Sequence, residues 1–353
     1  MTILVTGGAG FIGTNFVIEW ISNNKEKLIN VDKLTYAGNL GNLNAVNKKD
    51  EHVFIKGDIN NSSLIEDLFK NYQPRFIINF AAESHVDRSI ENPGKFINTN
   101  IIGTYNLLEC AKNYWLSLPI NEKKVFRFLQ VSTDEVYGTL EPNAPTFSEL
   151  NRYEPNSPYS ASKASADHLV RAYYQTYGLP VLTTHCSNNY GPFQFPEKLI
   201  PLTIKNALAH DKIPVYGDGL HIRDWLYVSD HCSAIRAVLE RGRCGETYNI
   251  GGSNEKSNVE VVQTICNMLD KMHPTKNKIE SYLELISFVK DRPGHDRRYA
   301  IDTTKISTEL NWFPKENFES GISKTVQWYL CNQNWVEKVF TGYYKKQNNR
   351  HDR

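Results

Sequence analysis

The sequence predicts an α/β protein built on a doubly wound parallel sheet, with a smaller α/β region attached to it. Short apolar, β-branched runs alternate with amphipathic helical patterns through the first half of the chain. Repeated β-α-β-α order is typical of a parallel sheet covered by helices on both faces. The chain has 353 residues, and chains longer than about 250–300 residues usually divide into domains.

The predicted strands of this sheet end in polar loops. The strands cover residues 3–6, 28–31, 53–56, 76–80 and 126–131, and the loops include residues 58–59, 81–85 and 132–135. In an open parallel sheet, ligands bind beyond the carboxyl ends of the strands. We therefore expect these loops to line one crevice.

A change of composition near residue 186 indicates a second region, because proline, glycine and asparagine become frequent there, while residues 224–239 again have the pattern of a strand and a helix. We predict a sheet domain over residues 1–185 and 222–250, a smaller domain over residues 186–221 and 251–335, and a polar C-terminal tail over residues 336–353 that frays at its end.

Composition and charge exclude several classes of protein. The chain is 40% hydrophobic and 22% charged, which excludes a disordered, collagen-like or coiled-coil protein. Its 40 basic and 39 acidic residues leave a net charge of +1, which argues against a nucleic-acid or membrane-surface partner. The sequence contains no apolar run long enough to span a bilayer.

The six cysteines are scattered and form no C-x-x-C pair, so we predict neither a zinc or other metal site nor a disulfide framework. The first residues enter a strand pattern without a basic start and an apolar stretch, so we predict no secretory signal. Together these features predict a cytoplasmic protein with reduced thiols.

A glycine-rich turn follows the first predicted strand. Gly8, Gly10 and Gly13 form G-x-G-x-x-G, Gly7 precedes them, and Asp32 ends the second strand nineteen residues after Gly13. Glycines let the backbone approach a pyrophosphate at a helix N-terminus, and a distal Asp accepts hydrogen bonds from ribose. A carboxylate at Asp32 favours NAD over NADP, so this is the pattern of a Rossmann domain. The alternative is a plain strand-to-helix turn.

Tyr159 and Lys163 stand four residues apart at the start of a predicted helix over residues 159–177, so the phenol and the ammonium share one face. A tyrosine that works as a base near pH 7 needs its pKa lowered from about 10. Lys163 and an oxidised nicotinamide are two positive charges that supply such a shift. The alternative for Tyr159 is a half-buried aromatic residue at a helix start.

Asp134 and Glu135 follow the strand that ends in Ser132-Thr133. Simple alcohol oxidation needs one base and no such pair. Two adjacent carboxyl groups suit a reaction that removes a proton at one carbon and protonates a leaving hydroxyl at its neighbour. Repulsion between them would raise one pKa and leave one acid and one base. The alternative is a pair of solvated turn residues.

Several motifs resemble the extended short-chain dehydrogenase/reductase family, and within it the dTDP-glucose 4,6-dehydratases, over residues 1–330. They are Thr6-Gly7-Gly8-Ala9-Gly10-Phe11-Ile12-Gly13, Asp32-Lys33-Leu34-Thr35-Tyr36-Ala37-Gly38, Ala81-Ala82-Glu83-Ser84-His85-Val86-Asp87, Ser132-Thr133-Asp134-Glu135-Val136-Tyr137-Gly138, Tyr159-x-x-x-Lys163, Ser187-Asn188-Asn189-Tyr190-Gly191-Pro192, Ile222-Arg223-Asp224-Trp225-Leu226-Tyr227 and Asp291-Arg292-Pro293-Gly294-His295-Asp296-Arg297-Arg298.

The resemblance implies an NAD-dependent hydro-lyase that makes dTDP-4-keto-6-deoxyglucose from dTDP-glucose, as in dTDP-rhamnose biosynthesis. It implies that Tyr159, helped by Lys163, takes the 4-hydroxyl proton and that Thr133 hydrogen-bonds the same oxygen. Glu135 would remove the C5 proton and Asp134 would protonate the departing 6-hydroxyl. It also implies a homodimer formed through residues 98–111 and 159–177, whose aromatic content equally permits burial within one subunit.

The glycine motif and the resemblance together imply a set of NAD-binding residues. They are Gly7, Gly10, Phe11, Ile12, Gly13, Asp32, Lys33, Leu34, Thr35, Asp58, Ile59, Ala81, Ala82, Glu83, Ser84, Thr99, Tyr159, Lys163 and Asn189.

The resemblance also implies that the smaller domain contributes to a nucleotide-sugar site. The implied substrate-binding residues are Ser84, His85, Thr133, Asn188, Lys198, Leu199, Pro214, Tyr216, Arg223, Asn258, Arg292 and His295. Guanidinium groups suit a diphosphate, although a surface salt bridge is the commoner role of any single arginine. For His295 a structural hydrogen bond is an alternative, and Leu199 and Pro214 would otherwise be packing residues.

Three alternatives stay open at this point. An epimerase or decarboxylase would share Tyr159 and Lys163 but would not need both carboxyl groups. A UDP-glucose 4,6-dehydratase would share the whole reactive set. A non-catalytic NAD-binding scaffold would keep the glycines, but it would have no reason to keep Tyr159, Lys163 and Glu135 together.

Overall fold

The computed structural model describes residues 2–275, 279–291 and 293–342, and strands and helices alternate along most of them. The strands are β1 (Thr2–Thr6), β2 (Lys27–Asp32), β3 (His52–Lys56), β4 (Phe76–Asn79), β5 (Arg127–Thr133), β6 (Val181–Cys186), β7 (Asn188–Tyr190), β8 (Ile213–Tyr216), β9 (Ile222–Tyr227), β10 (Thr247–Ile250), β11 (Glu255–Ser257), β12 (Ile286–Val289) and β13 (Arg298–Tyr299).

Besides α-helices, the described residues form three short 3₁₀ turns and one π-helical segment. The α-helices are α1 (Phe11–Asn23), α2 (Ser62–Tyr72), α3 (Val86–Glu91), α4 (Pro93–Phe96), α5 (Thr104–Ser117), α6 (Ile120–Val125), α7 (Pro158–Tyr177), α8 (Leu199–Leu208), α9 (Val228–Arg241), α10 (Asn258–Met272), α11 (Thr304–Leu310), α12 (Phe318–Cys331) and α13 (Gln333–Phe340). The π-helical segment is Ile97–Gly103. Of these helices, none has both the length and the apolar character that crossing a membrane requires.

A seven-stranded sheet with the order β10-β6-β5-β4-β1-β2-β3 forms the larger part of the molecule, and every pair of neighbouring strands in it is parallel. Successive side chains of its central strands point to opposite faces of the sheet, and each face has its own apolar core. Ile3 and Val5 pack on one face, with α1 and α9, whereas Leu4 packs on the other, with α2, α5 and α7. This alternation is the period-two geometry of a strand, and it confirms the predicted doubly wound α/β fold.

The smaller region has its own strands and core. β9 pairs with β7, β11 and β13, and β8 pairs with β12. A third apolar core lies among α8, α10 and α12. The sequence pattern predicted that residues 222–250 return to the large sheet. Instead, β9 belongs to the smaller sheet and the return begins with α9, because the apolar pattern of a strand does not say which strands it pairs with.

The predicted polar tail begins later than residue 336. Trp335 and Val336 lie on α13 and pack against the third core, and Trp335 Nε1 donates to Asn42 Oδ1 over 2.7 Å. Residues 343–353, the end of the predicted tail, lie outside the described residues.

Candidate active site

The turn between β1 and α1 is shaped by its glycines. Gly7 has a φ of +71°, and a Cβ there would lie 2.6 Å from the backbone nitrogen of Ala81. A Cβ on Gly13 would lie 2.3 Å from Gly7 O, so the helix packs closely against the turn. Gly10, which precedes α1 without a side-chain cap, has only Gly7 O within 4 Å of its missing Cβ, at 3.3 Å. The first amides of α1 therefore face an open cradle that suits a pyrophosphate.

Asp32 stands at the carboxyl end of β2, beside the same turn. Its Oδ2 accepts from Ala9 N over 2.9 Å and its Oδ1 from Leu34 N over 2.7 Å. Burial raises the pKa of Asp32 above its ordinary value, and these two bonds oppose the rise. The fixed carboxylate retains acceptor capacity at the cavity wall, which suits ribose hydroxyl groups. These residues therefore fit a dinucleotide.

The loop after β4 is held from behind by a buried asparagine in the π-helical segment. Asn100 Oδ1 accepts from Glu83 N over 2.9 Å, and Asn100 Nδ2 donates to Glu83 O over 3.0 Å. Asn100 Nδ2 also lies 2.8 Å from Ser162 Oγ on α7. π-Helical turns occur often at functional sites. Here the turn joins the β4 loop to the helix that carries Tyr159.

The predicted reactive residues meet where β5 ends and α7 begins. Ser157 and Ser160 form a capping box and Pro158 starts α7, which places Tyr159 in its first turn. Thr133 Oγ1 accepts from Glu135 N over 3.3 Å and hydrogen-bonds the Tyr159 phenol. Lys163 Nζ donates to Val131 O over 2.7 Å.

Burial controls the protonation of this group. The pKa of Asp134 lies well above its ordinary value, because the carboxyl is buried and then because Glu135 and Asp224 are close. Asp134 Oδ2 is buried and has no hydrogen-bond partner among the described residues. Burial and then the neighbouring carboxyl groups therefore both favour the neutral form of Asp134.

Tyr159 and Lys163 are shifted in the directions that burial dictates. The pKa of Tyr159 is raised well above its ordinary value, chiefly by burial and next by Glu135. The pKa of Lys163 is lowered by burial, and Asp167 partly opposes this. The lowered pKa of Tyr159 expected from the sequence is therefore not found in the protein alone, and the effect of a bound nicotinamide on it stays a prediction.

Most of the predicted site residues line one cavity of about 310 Å³. Those on the cofactor side are Gly7, Gly10, Phe11, Ile12, Gly13, Asp32, Lys33, Thr35, Asp58, Ile59, Ala81, Ala82, Glu83, Ser84 and Thr99. Those of the reactive and distal parts are Thr133, Asp134, Glu135, Tyr159, Lys163, Asn188, Asn189 and Lys198. Leu34 is not among them, because its side chain packs against the first core.

Several predicted substrate residues lie outside this lining. They are His85, Leu199, Pro214, Tyr216, Arg223, Asn258 and His295. Arg292 lies outside the described residues. Arg223 is buried; its Nη2 donates to Asp296 O over 2.8 Å, and its charge lowers the pKa of Asp134. Arg223 is therefore a charged neighbour of Asp134 rather than a lining residue of the cavity.

Three residues of the smaller region cluster at some remove from the cavity. The rings of His221 and His295 stack 3.6 Å apart, and the carboxyl oxygens of Asp291 lie 3.3 Å from His221 Nε2 and 2.7 Å from His295 Nδ1. The Tyr216 ring lies 6.4 Å from His295. One ligand atom from each of His221, Asp291 and His295 lies within 4.8 Å of the others. The absence of a metal stays a prediction.

A contact between distant parts of the chain involves two residues that line the cavity, Tyr36 and Glu197. The Arg88 guanidinium lies 3.6 Å from the centre of the Tyr36 ring, and Arg88 Nη2 donates to Glu197 Oε2 over 2.9 Å. Tyr36 also hydrogen-bonds Glu197. The sequence analysis did not single out Arg88 or Glu197. Tyr36 could have been found from the sequence, because it stands four residues after Asp32. No sequence pattern points to Glu197.

Comparison with known proteins agrees with this arrangement. Residues 4–325 match the family model described as GDP-mannose 4,6 dehydratase. A dTDP-glucose 4,6-dehydratase of Xanthomonas campestris pv. campestris (strain B100) is 58% identical over 344 residues, which are 98% of this chain and 97% of that protein.

Two solved structures have the same fold. A dTDP-glucose 4,6-dehydratase from Bacillus anthracis str. Ames, in complex with NAD, matches with a TM-score of 0.85 and 50% identity, covering 96% of this chain and 99% of that one. A dTDP-glucose 4,6-dehydratase from Streptomyces venezuelae, with NAD and TYD bound, matches with a TM-score of 0.87 and 42% identity, covering 96% and 100%. The chain therefore belongs to the dTDP-glucose 4,6-dehydratase family of extended short-chain dehydrogenases/reductases.

Proposed function

We propose that this protein converts dTDP-glucose into dTDP-4-keto-6-deoxyglucose and retains NAD through each turnover. The glycine cradle at the start of α1 and the fixed carboxylate of Asp32 would hold the dinucleotide. Bound NAD would supply the hydride acceptor for sugar C4, the hydride donor for C6 and a positive charge beside the Tyr159 phenol. Every other step belongs to side chains of this chain.

Tyr159 is the base for the 4-hydroxyl group. Its first-turn position on α7 and its hydrogen bond to Thr133 direct the phenol at the reactive end of the cavity. Thr133 steadies the oxygen that becomes a carbonyl, and the Lys163 ammonium favours the phenolate. This half of the reaction would be common to dehydratases and epimerases on the same scaffold.

The observation that carries the proposal is the buried Asp134 carboxyl, whose Oδ2 has no hydrogen-bond partner among the described residues and whose pKa is raised, beside Glu135 in the same cavity. Once C4 is a ketone, the C5 proton is acidic and Glu135 removes it. Asp134 delivers its proton to the departing 6-hydroxyl group, so that water leaves rather than hydroxide. Glu135 then returns a proton to C5 when hydride reaches C6. An epimerase would not need a neutral acid and a base side by side.

The assay uses the purified protein with dTDP-glucose, and the 4-keto-6-deoxy product is read from its absorbance in alkali. We expect turnover with dTDP-glucose to exceed that with UDP-glucose. Recovery of dTDP-galactose would indicate an epimerase, a preference for UDP-glucose would indicate the UDP-sugar dehydratase, and no turnover with either sugar would contradict the proposal.

We infer that the protein acts as a homodimer in the cytoplasm, on a dTDP-rhamnose type of pathway. Support for the dimer comes from exposed apolar side chains on the predicted helices, namely Ile102, Tyr105 and Tyr177, which are 47–48% exposed. Such a patch is typical of an interface between subunits. Sedimentation equilibrium tests this, since a monomer at all concentrations would contradict it.

A further inference from the structure

The helix α13 near the C-terminus contributes to none of the predicted site sets, yet it contacts the loop that follows Asp32. Trp335 Nε1 on this helix donates to Asn42 Oδ1 over 2.7 Å, across 293 positions of the sequence. Asn42 is 3% exposed, so this hydrogen bond is made inside the molecule. It joins the end of the described chain to the domain of the large sheet.

Asn42 extends this contact to the glycine-rich turn between β1 and α1. An indole N–H can only donate, so the Asn42 atom that faces Trp335 is the amide oxygen, and the amide nitrogen is left to donate elsewhere. Asn42 Nδ2 donates to Ala9 O over 3.2 Å, and Asn39 N donates to the same oxygen over 3.0 Å. Ala9 N in turn donates to Asp32 Oδ2. Trp335 therefore orients the amide that fastens the loop over residues 33–44 to the glycine-rich turn.

The fastened loop forms a wall of the active-site cavity. Residues 35–38 line the cavity, and the two attachments to Ala9 O follow them directly, at Asn39 and Asn42. Ala9 itself lies among the glycines that form the cradle for the pyrophosphate. The two hydrogen bonds therefore hold the wall and the cradle at a fixed separation.

The helices α12 and α13 also contact a second stretch of the cavity lining. The ring of Phe193 lies 4.9 Å from that of Trp328 and 6.1 Å from that of Trp335. Tyr329 OH donates to the backbone oxygen of Gln194, and Gln194 lines the cavity. The same helix pair thus supports the cavity lining on the large-sheet side and on the side of the smaller region.

We propose that Trp335 is a positioning residue that acts through Asn42 to hold the loop over residues 33–44 against the glycine-rich turn, and so slows the release of NAD. This inference deepens the proposed function and rests on it for its importance in turnover. In that reaction the reduced cofactor must stay bound until its hydride returns to C6 of the sugar. A loop that opened between the two hydride transfers would release the cofactor before the product is complete.

The test replaces Trp335 with phenylalanine, which keeps an aromatic ring beside Phe193 and Trp328 but removes the N–H donor. The protein loaded with labelled NAD is mixed with excess unlabelled NAD, and the label that stays bound is measured over time after passage through a desalting column. We expect Trp335→Phe to release NAD about two- to tenfold faster, the range of one neutral hydrogen bond. After dilution without NAD its activity should fall faster than that of the wild type, and added NAD should restore it. A general folding defect would not be reversed by NAD.

Trp328→Phe is the matched control. It makes the same replacement in the same aromatic cluster, since the Trp328 ring also packs against Phe193 and Trp335. Its indole N–H donates no hydrogen bond among the described residues. The variant should therefore release NAD at the wild-type rate.

A double variant tests whether Trp335 acts through Asn42. Asn42→Ala loses the bond to Ala9 as well as the bond to Trp335, so its release of NAD should be faster than that of Trp335→Phe. Adding Trp335→Phe to Asn42→Ala should then cause no further acceleration, because the effects of residues that act through one another do not add.

The outcomes separate this inference from the proposed function. If the wild type does not dehydrate dTDP-glucose, the proposed function fails, while the rates of NAD release still decide whether Trp335 holds the loop. Release at the wild-type rate in Trp335→Phe, equal acceleration in Trp328→Phe, or the full additional acceleration in the Asn42→Ala background would each overturn the inference. Should Trp335→Phe not fold, an unchanged release rate in Asn42→Ala would do so.

Discussion

The two sides of the active-site cleft are built in different ways. On the cofactor side, the ends of β1, β2, β4 and β5 are neighbours in one parallel sheet, and nearly all the residues predicted there line a single cavity. On the substrate side, the predicted residues outside the large sheet come from β7, β8, β9, α10, the start of α8 and the segment before β13. At the edge of the sheet, the register of neighbouring strands brings the predicted residues together. In the smaller region, their positions depend on how separate elements pack against one another. We therefore expect substitutions on the two sides to have different effects on the protein.

The largest effect should come from Glu135→Gln at the reactive end. The variant keeps the shape of Glu135 but cannot take the C5 proton, so dehydration should fall by about 10²–10⁴-fold. Partial reduction of bound NAD by dTDP-glucose should persist, because the proposed mechanism assigns that step to Tyr159. Rapid mixing with NADH absorbance and alkali-developed product measures the two steps separately. Glu141→Gln, at an exposed position, is the control, and elimination at the normal rate in Glu135→Gln would contradict its assigned role.

The next effect should come from Gly7→Ala on the cofactor side. Its φ of +71° strains an alanine, and the added Cβ would lie 2.6 Å from Ala81 N, a backbone atom that cannot move aside. We expect a loss of about 1–3 kcal/mol in the free energy of unfolding, together with loss of bound NAD. Chemical denaturation and the absorbance of released NAD measure the two effects.

Gly178→Ala is the matched control for that variant. Gly178 has nearly the same φ, +72°, but its nearest neighbour to a new Cβ is Trp115 Cη2, at 3.9 Å. It should lose about 1 kcal/mol from backbone strain and keep its NAD. If both variants keep NAD equally, the close approach at Gly7 is not what forms the cradle.

The predicted residues that the structure brings to one cavity belong to local motifs, whereas the features that the sequence analysis missed depend on distant parts of the chain. The glycine turn, Asp32 and the i, i+4 pair Tyr159 and Lys163 each depend on a few neighbouring residues. The pairing of β9 and the contact of Arg88 with Glu197 depend on which segments fold together, and periodicity carries no such information. The raised pKa of Tyr159 was also missed, because burial is a property of the packed molecule.

A smaller effect should follow from breaking the contact that joins the two sides. Glu197 belongs to the smaller region. It binds Arg88 on α3 and also hydrogen-bonds Tyr36, which lies beside the cofactor loop. In Glu197→Gln the ion pair is lost, and exchange of bound NAD with labelled NAD should accelerate by less than about tenfold. Glu19→Gln, which breaks the Glu19–Arg236 pair between α1 and α9, should leave the exchange rate unchanged. Equal exchange in Glu197→Gln and the wild type would show that the contact does not hold the cleft closed.

The smallest effect should come from Tyr216→Phe on the substrate side. Tyr216 is 41% exposed, and its ring lies edge-on to His295, a contact that phenylalanine preserves. Only the hydroxyl group is lost, so we expect KM for dTDP-glucose to rise by about two- to fivefold, the range of one neutral hydrogen bond, with kcat and NAD content unchanged. Steady-state kinetics measures this. A fall in kcat without a change in KM would place Tyr216 with the reactive residues and would remove the distinction between the two sides of the cleft.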